Sequence, residues 1–239
     1  MYKNKKIVAI IPARGGSKGI PHKNIVKLVC RPLIVWTIEH AKNSKLIDKV
    51  CVSTDDKKIA KVCHKYGAEI IERPIELATD TSSSESALLH AIDFIEYNKK
   101  FNIDIVVFLQ CTSPLRERDD IDNAIRKFFL EGADSLFSCT KLEDHFIWER
   151  RKDNFVGVNH DYRNRKRRQN IKPQYLENGS IYIFKPELIR REHNRLGGKI
   201  AIYEMDQWKS YQVDRPDDLD ICEYYIRKKI LKHRDNGAG

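Results

Sequence analysis

Between Pro12 and Asn24 the chain reads "PARGGSKGIPHKN". Gly15, Gly16 and Gly19 permit close backbone approach and positive φ, so that amide hydrogens can face oxygen atoms. Arg14, Lys18 and Lys23 add positive charge, and Ser17 adds a hydroxyl. Donors of these types, crowded after an apolar run, suit a phosphate-bearing anion. A triphosphate carries about four negative charges near neutral pH, and charge-assisted hydrogen bonds to it are strong. The stretch is neither a GxxxxGK[ST] loop nor a GxGxxG fingerprint. Two more polar segments follow apolar runs: "QCTSPLR" (Gln110–Arg116) and the residues around Asp214.

The pattern along the chain says what must carry these segments. Ile7–Ile11 and Lys49–Thr54 read as strands, and Pro32–Lys42 has helical spacing. Asp55–Tyr66 reads as a helix capped by Asp55 and stopped at Gly67. Glu69–Glu72 is a short strand, Ser84–Asn98 an amphipathic helix, and Asp104–Leu109 the most apolar strand, expected at the centre. A helix over Asp119–Glu131 ends at Gly132, and Ser135–Thr140 returns to strand. This alternation predicts a three-layer, doubly wound α/β fold with a mostly parallel sheet of about seven strands. In such sheets ligands gather at the carboxyl ends of the strands, where these segments fall. From Lys141 to Lys172 the pattern breaks into a polar, aromatic-bearing, basic stretch. It resumes with "GSIYIFKPELI", "KIAIYEM" and a closing helix from Pro216. The expected organisation is one α/β domain from residues 1–140 and 173–239 with an inserted arm over 141–172.

Bulk properties narrow the function classes. The 239 residues carry a net charge of +10, which fits acidic substrates, nucleic acid or an anionic surface. Zinc-finger, helix-turn-helix and aromatic RNA-binding patterns are absent, so no nucleic-acid partner is expected. No apolar run reaches the length of a membrane span, so no membrane partner is expected either. The first apolar run is too short for a signal peptide and reads as the first strand, which implies a cytoplasmic protein. The six cysteines form no CxxC pair and read as reduced thiols near the core.

Taken with "RPIELATDTSSS" (Arg73–Ser84), "LQCTSPLR", "ENGSIYIF" (Glu177–Phe184) and "VDRPDDL" (Val213–Leu219), the first loop resembles the ordered motifs of the CMP-sialic acid synthetases, or N-acylneuraminate cytidylyltransferases. The resemblance implies a nucleotide-diphospho-sugar transferase-like fold. The reaction it implies transfers CMP from CTP to the anomeric hydroxyl of a nonulosonic acid, for surface glycan synthesis, with release of pyrophosphate. Magnesium, or manganese in its place, is the implied cofactor. Alternatives are a legionaminic, other nonulosonic or Kdo acceptor, or a non-catalytic nucleotide-sugar-binding protein.

By the same resemblance, Arg14, Lys23 and Asp214 are the catalytic charges. CTP would lie against Arg14, Gly15, Ser17, Lys23, Asn24, Arg73 and Ser84, although Ser84 also reads as a helix cap. The sugar acid would meet Gln110, Arg168, Asn178 and Tyr182, although Tyr182 also reads as a core position. The family pattern has an aspartate where this chain has Gln212, leaving Asp214 as the main metal ligand and Gln212 a doubtful one. Cys111 stands where the family usually has proline, an exchange expected to be harmless, although a cysteine beside the pocket could make the enzyme thiol-sensitive. The inserted arm implies a homodimer, with Arg168 acting within its own chain or across to the partner.

Overall fold

The computed structural model describes residues 1–17, 19–142, 145–167 and 170–232. The strands are β1 (Ile7–Pro12), β2 (Lys27–Leu28), β3 (Arg31–Pro32), β4 (Lys49–Thr54), β5 (Glu69–Glu72), β6 (Ile105–Leu109), β7 (Ser135–Lys141), β8 (Trp148–Arg151), β9 (Asn154–Gly157), β10 (Tyr175–Phe184) and β11 (Ile200–Glu204). The helices are α1 (Leu33–Asn43), α2 (Lys57–Lys65), α3 (Ser84–Asp93), α4 (Asp120–Leu130), α5 (Pro186–Glu192) and α6 (Pro216–Tyr225). Helices α3 and α6 each run on into a π-helical segment, Phe94–Asn98 and Ile226–Leu231.

Seven strands form one sheet in the order β11-β7-β10-β6-β1-β4-β5. All neighbours are parallel except β10, which is antiparallel to both β6 and β7. The three-layer expectation is met because strand side chains alternate between two cores. Ile7, Ala9 and Ile11 point to the face covered by α1, α2, α4 and α6. Val8, Ile10, Val106 and Phe108 point to the face covered by α3 and α5. Strands buried on both sides read as continuous apolar runs, which is why β1 and β6 were legible.

The helix starts differ from expectation by one cap each. Asp56, not Asp55, caps α2: its carboxylate accepts from the Lys58 and Ile59 amides at 2.6 and 2.9 Å. Ser83, not Ser84, caps α3 by accepting from the Ser86 amide at 3.1 Å. Both shifts release the neighbouring residue for other work. Within 141–172, β8 and β9 form a separate antiparallel hairpin outside the main sheet.

Candidate active site

Strands β1, β4, β5 and β6 all deliver their carboxyl ends to one edge of the sheet, where a cleft of about 450 Å³ opens. The loop after β1 forms one wall. Its backbone is tied down from two sides. The Gly15 amide donates to Asp55 Oδ1 at 3.0 Å, and Asn24 Nδ2 donates to the Arg14 carbonyl at 2.8 Å. Gly15 therefore turns away from the cleft, and the buried Asn24 holds the loop from behind. Gly16, Ser17 and Gly19 line the cavity.

Gly15, Gly16 and Gly19 are not among the glycines of positive φ, so of the two uses open to them the structure shows the other. The need is close approach: a Cβ on Gly19 would lie 2.4 Å from the Asp214 carbonyl oxygen, and one on Gly15 would lie 2.9 Å from the Asp56 side chain. Lys18 lies outside the described residues.

The cations of this wall are matched by carboxylates. Arg14 Nη1 donates to the Thr79 carbonyl at 2.8 Å and pairs with Asp80 at 3.0 Å, so it spans to the opposite rim. Lys23 Nζ sits 2.8 Å from Asp214 Oδ1. Asp218 accepts from the Asp214 and Arg215 amides and opens α6. Asp214 is thus an exposed carboxylate at the cleft, beside a lysine.

Arg73 and Ser84 face the cavity from the opposite side, with Thr79, Ser82 and Ser83 making a hydroxyl-rich rim. Arg73 is buried, and its Nη2 and Nε donate to the Ser53 carbonyl and hydroxyl at 2.7 and 3.1 Å. Burial lowers its pKa, Asp55 opposes that shift, and Arg14 adds to it. A buried arginine held by β4 keeps the cleft's positive potential fixed.

Gln110, Cys111 and Thr112 extend the cavity past β6. The turn they belong to is clamped by a fully buried Arg116. Its Nη2 donates to the Gln110 and Ser180 carbonyls at 2.9 and 2.7 Å, and its Nη1 to Thr37 Oγ1 at 3.2 Å. Burial brings its pKa down to about 10, with Asp120 acting the other way. Cys111 does line the cavity, but it is buried, and burial raises its thiol pKa far above the ordinary value. The burial agrees with the expectation that the exchange is harmless, because the reactive species is the thiolate.

Asn178 and Tyr182, also expected at the sugar, do not line this cleft. Asn178 is buried, and its Oδ1 accepts from Ser138 Oγ at 2.6 Å and the Ser180 amide at 3.1 Å. Tyr182 stacks on Phe108 at 5.2 Å under the Arg195 guanidinium and hydrogen-bonds Glu177. Both are walls behind the site. Gln212 is also turned inward: its Nε2 donates to the Asn178 carbonyl at 3.0 Å. That bond explains why it does not line the cavity and stands apart from Asp214 as a metal donor. Arg168 lies outside the described residues.

Two residues escaped the sequence reading. Phe108 reaches the cavity from the middle of an apolar strand, where it reads as core. Arg195 pairs with Glu85 at the start of α3 and covers the Tyr182 ring, in a loop with no motif.

Among the described residues no group of three His, Cys, Asp or Glu could hold a metal ion. Asp214 alone still fits a magnesium ion that brings phosphate and water ligands of its own. A larger cavity, about 1000 Å³, lies between α1, α4, β11 and the π-helical segment Ile226–Leu231. Its buried Lys209 is already bound by Glu117 and Asp120, and its wall also carries Glu39, Asp119, Glu204 and Asp206. A polyphosphate would be repelled there.

A hydroxyl- and cation-lined cleft at the carboxyl edge suits a nucleotide, and comparison with known proteins agrees. The cytidylyltransferase family model matches residues 8–233. The chain belongs to the cytidylyltransferase family. It is 38% identical to an N-acylneuraminate cytidylyltransferase of Oncorhynchus mykiss, over 93% of this chain and 50% of that one. It is 32% identical to the N-acylneuraminate cytidylyltransferase of Escherichia coli O18:K1:H7, over 94% of this chain and 53% of that one. The chain thus spans about half the length of these relatives. It is 31% identical to the post-translational flagellin modification protein B of Campylobacter coli, over 96% of this chain and 99% of that one. A solved CMP:2-keto-3-deoxy-manno-octonic acid synthetase complexed with CTP superposes with a TM-score of 0.71 at 18% identity, covering 94% and 100% of the two chains. The last likeness concerns the fold. No described helix is long and apolar enough to cross a membrane.

Proposed function

We propose that the chain transfers CMP from CTP to the anomeric hydroxyl of a nonulosonic acid. A bond forms between the anomeric oxygen and the α-phosphorus, and the bond to the bridging oxygen breaks, releasing pyrophosphate. The convergence of Arg14, Lys23 and Asp214 on one cleft carries this reading. Little covalent work falls to the protein in such a transfer; it positions the groups and stabilises charge. Arg14 and Lys23 neutralise the triphosphate. Asp55 and Asn24 keep the loop in shape, and Arg73 and the Ser84 rim receive the nucleoside side. Gln110 offers a neutral amide to the acceptor without adding charge. Asp214 would hold a magnesium ion, which would supply a Lewis acid for the charge developing on the leaving pyrophosphate.

The hairpin of β8 and β9 supports a homodimer. Trp148, Phe155 and Val158 stand 46%, 57% and 58% exposed, and a two-stranded hairpin without cover is marginal in water. Trp148→Glu with Phe155→Glu should turn a dimer into a monomer in sedimentation; a wild-type monomer would remove the proposal.

The deciding test is pyrophosphate release with CTP and a panel of sialic, legionaminic, pseudaminic and eight-carbon keto acids. Release with a nine-carbon acid is expected. Release with the eight-carbon acid alone, or with none, would overturn the reading.

A further inference from the structure

Gln212 occupies a position with two unusual neighbours. Gly179 interrupts β10 at a φ of +66, where the register with β7 breaks between Glu177 and Tyr182. A Cβ there would lie 2.6 Å from Gln110 Oε1 and 3.0 Å from Gln212 Nε2. The two amide side chains therefore both lie over the bare backbone of Gly179, one from the turn after β6 and one from the segment leading to Asp214. Gln212 Nε2 is anchored on the Asn178 carbonyl, and the Val213 amide donates to the Thr112 carbonyl at 2.8 Å. These two bonds strap the Asp214 segment to both the bulge and the Gln110 turn.

A carboxylate at this position has no proton to give to a carbonyl, so an amide is the chemistry the strap requires. We infer that Gln212 is a positioning residue, holding Gln110 in place for the acceptor through the Asn178–Gly179 backbone, and not a metal ligand. The inference rests on the cytidylyltransferase reading above.

The test uses Gln212→Met, which keeps length and removes the donor, and Gln212→Glu, which sets an anion against the carbonyl. Gln212→Met should raise KM for the acceptor acid about tenfold, the scale of one lost hydrogen bond to a buried acceptor. KM for CTP and the magnesium concentration at half-maximal rate should stay within about twofold. In a Gln110→Ala background the same substitution should lose most of its effect, because residues acting through one another are not additive. Gln212→Glu should harm acceptor use more than Gln212→Met without lowering the magnesium requirement. The inference is overturned if Gln212→Glu tightens magnesium, if Gln212→Met raises the magnesium requirement, or if the Gln110 and Gln212 effects simply multiply. Calorimetry of CTP binding across a magnesium series needs no acceptor. Should the wild type turn over no keto acid, the proposed function falls, while an altered magnesium dependence in either variant separately overturns the positioning role.

Discussion

Arg14 works from the rim: its guanidinium already spans to Thr79 and Asp80. On the proposed reading, nucleotide binding redirects that charge to phosphate. Arg14→Ala should reduce kcat/KM for CTP about ten- to a hundredfold, the loss of one charge-assisted bond. Unchanged CTP kinetics would remove Arg14 from the phosphate site. Arg116 works from inside. Arg116→Met fills the space but leaves the Gln110 and Ser180 carbonyls without a donor, so about 3 kcal/mol of stability should be lost in urea unfolding. An unmoved midpoint would mean other donors reach those carbonyls. At this scale the sequence was legible where a residue type has one chemistry. Arg14, Ser17, Lys23 and Asp214 line the cleft as read. It was opaque where strand geometry decides. Asn178 and Tyr182 sit on a strand whose alternation is broken at Gly179, so neither spacing nor type says which way they point.

Elements meet at the edge of the sheet through backbone contacts that side-chain motifs do not advertise. The loop after β1 lies against the Asp214 segment so closely that only Gly19 fits, whereas Gly16 faces open space. Gly19→Ala should therefore lose both CTP affinity and about 1–3 kcal/mol of stability by overpacking. Gly16→Ala should keep the melting temperature and weaken only CTP binding. Equal melting temperatures in the two variants would show that the Asp214 contact yields freely. The order of elements was readable because each carries its own hydrophobic period. Their caps were missed by one residue, since Asp55–Asp56 and Ser83–Ser84 each offer two suitable side chains. Only the tertiary partner, the Gly15 amide for Asp55, separates them. The reversal of β10 was unreadable for a related reason. An apolar strand buried on both faces carries no mark of its direction.

Across the whole molecule, buried acids set an alkaline limit. Burial raises the thiols of Cys51, Cys63 and Cys222 from 9.0 to about 12, and burial with the Glu177 hydrogen bond raises the Tyr182 phenol from 10.0 to about 12. A group whose folded pKa lies above its unfolded one stabilises fully below the unfolded value and loses that contribution as pH climbs toward the folded value. Arg116, lowered from 12.5 to about 10, has the opposite sign, but only above pH 10. Stability should thus decline from about pH 9 upward, by up to about 1.4 kcal/mol per pH unit for each thiol. Urea midpoints measured across this range should fall, and more shallowly in Cys63→Ala. A flat wild-type profile would contradict the burial of these groups. The arm poses a different question, that of its attachment. It leaves the sheet after Lys141 and returns at Tyr175, and those two residues are paired neighbours, with the Leu142 amide donating to the Gln174 carbonyl at 2.8 Å. Topologically the whole excursion is the loop of one hairpin, hung from a single doorway. Such an excursion is exchangeable: it can lengthen, shrink or be traded for another while the sheet keeps its register, at only a slowly growing entropic cost. A chain in which a short turn replaces residues 143–173 should still unfold cooperatively and bind CTP, having lost only what the excursion brings.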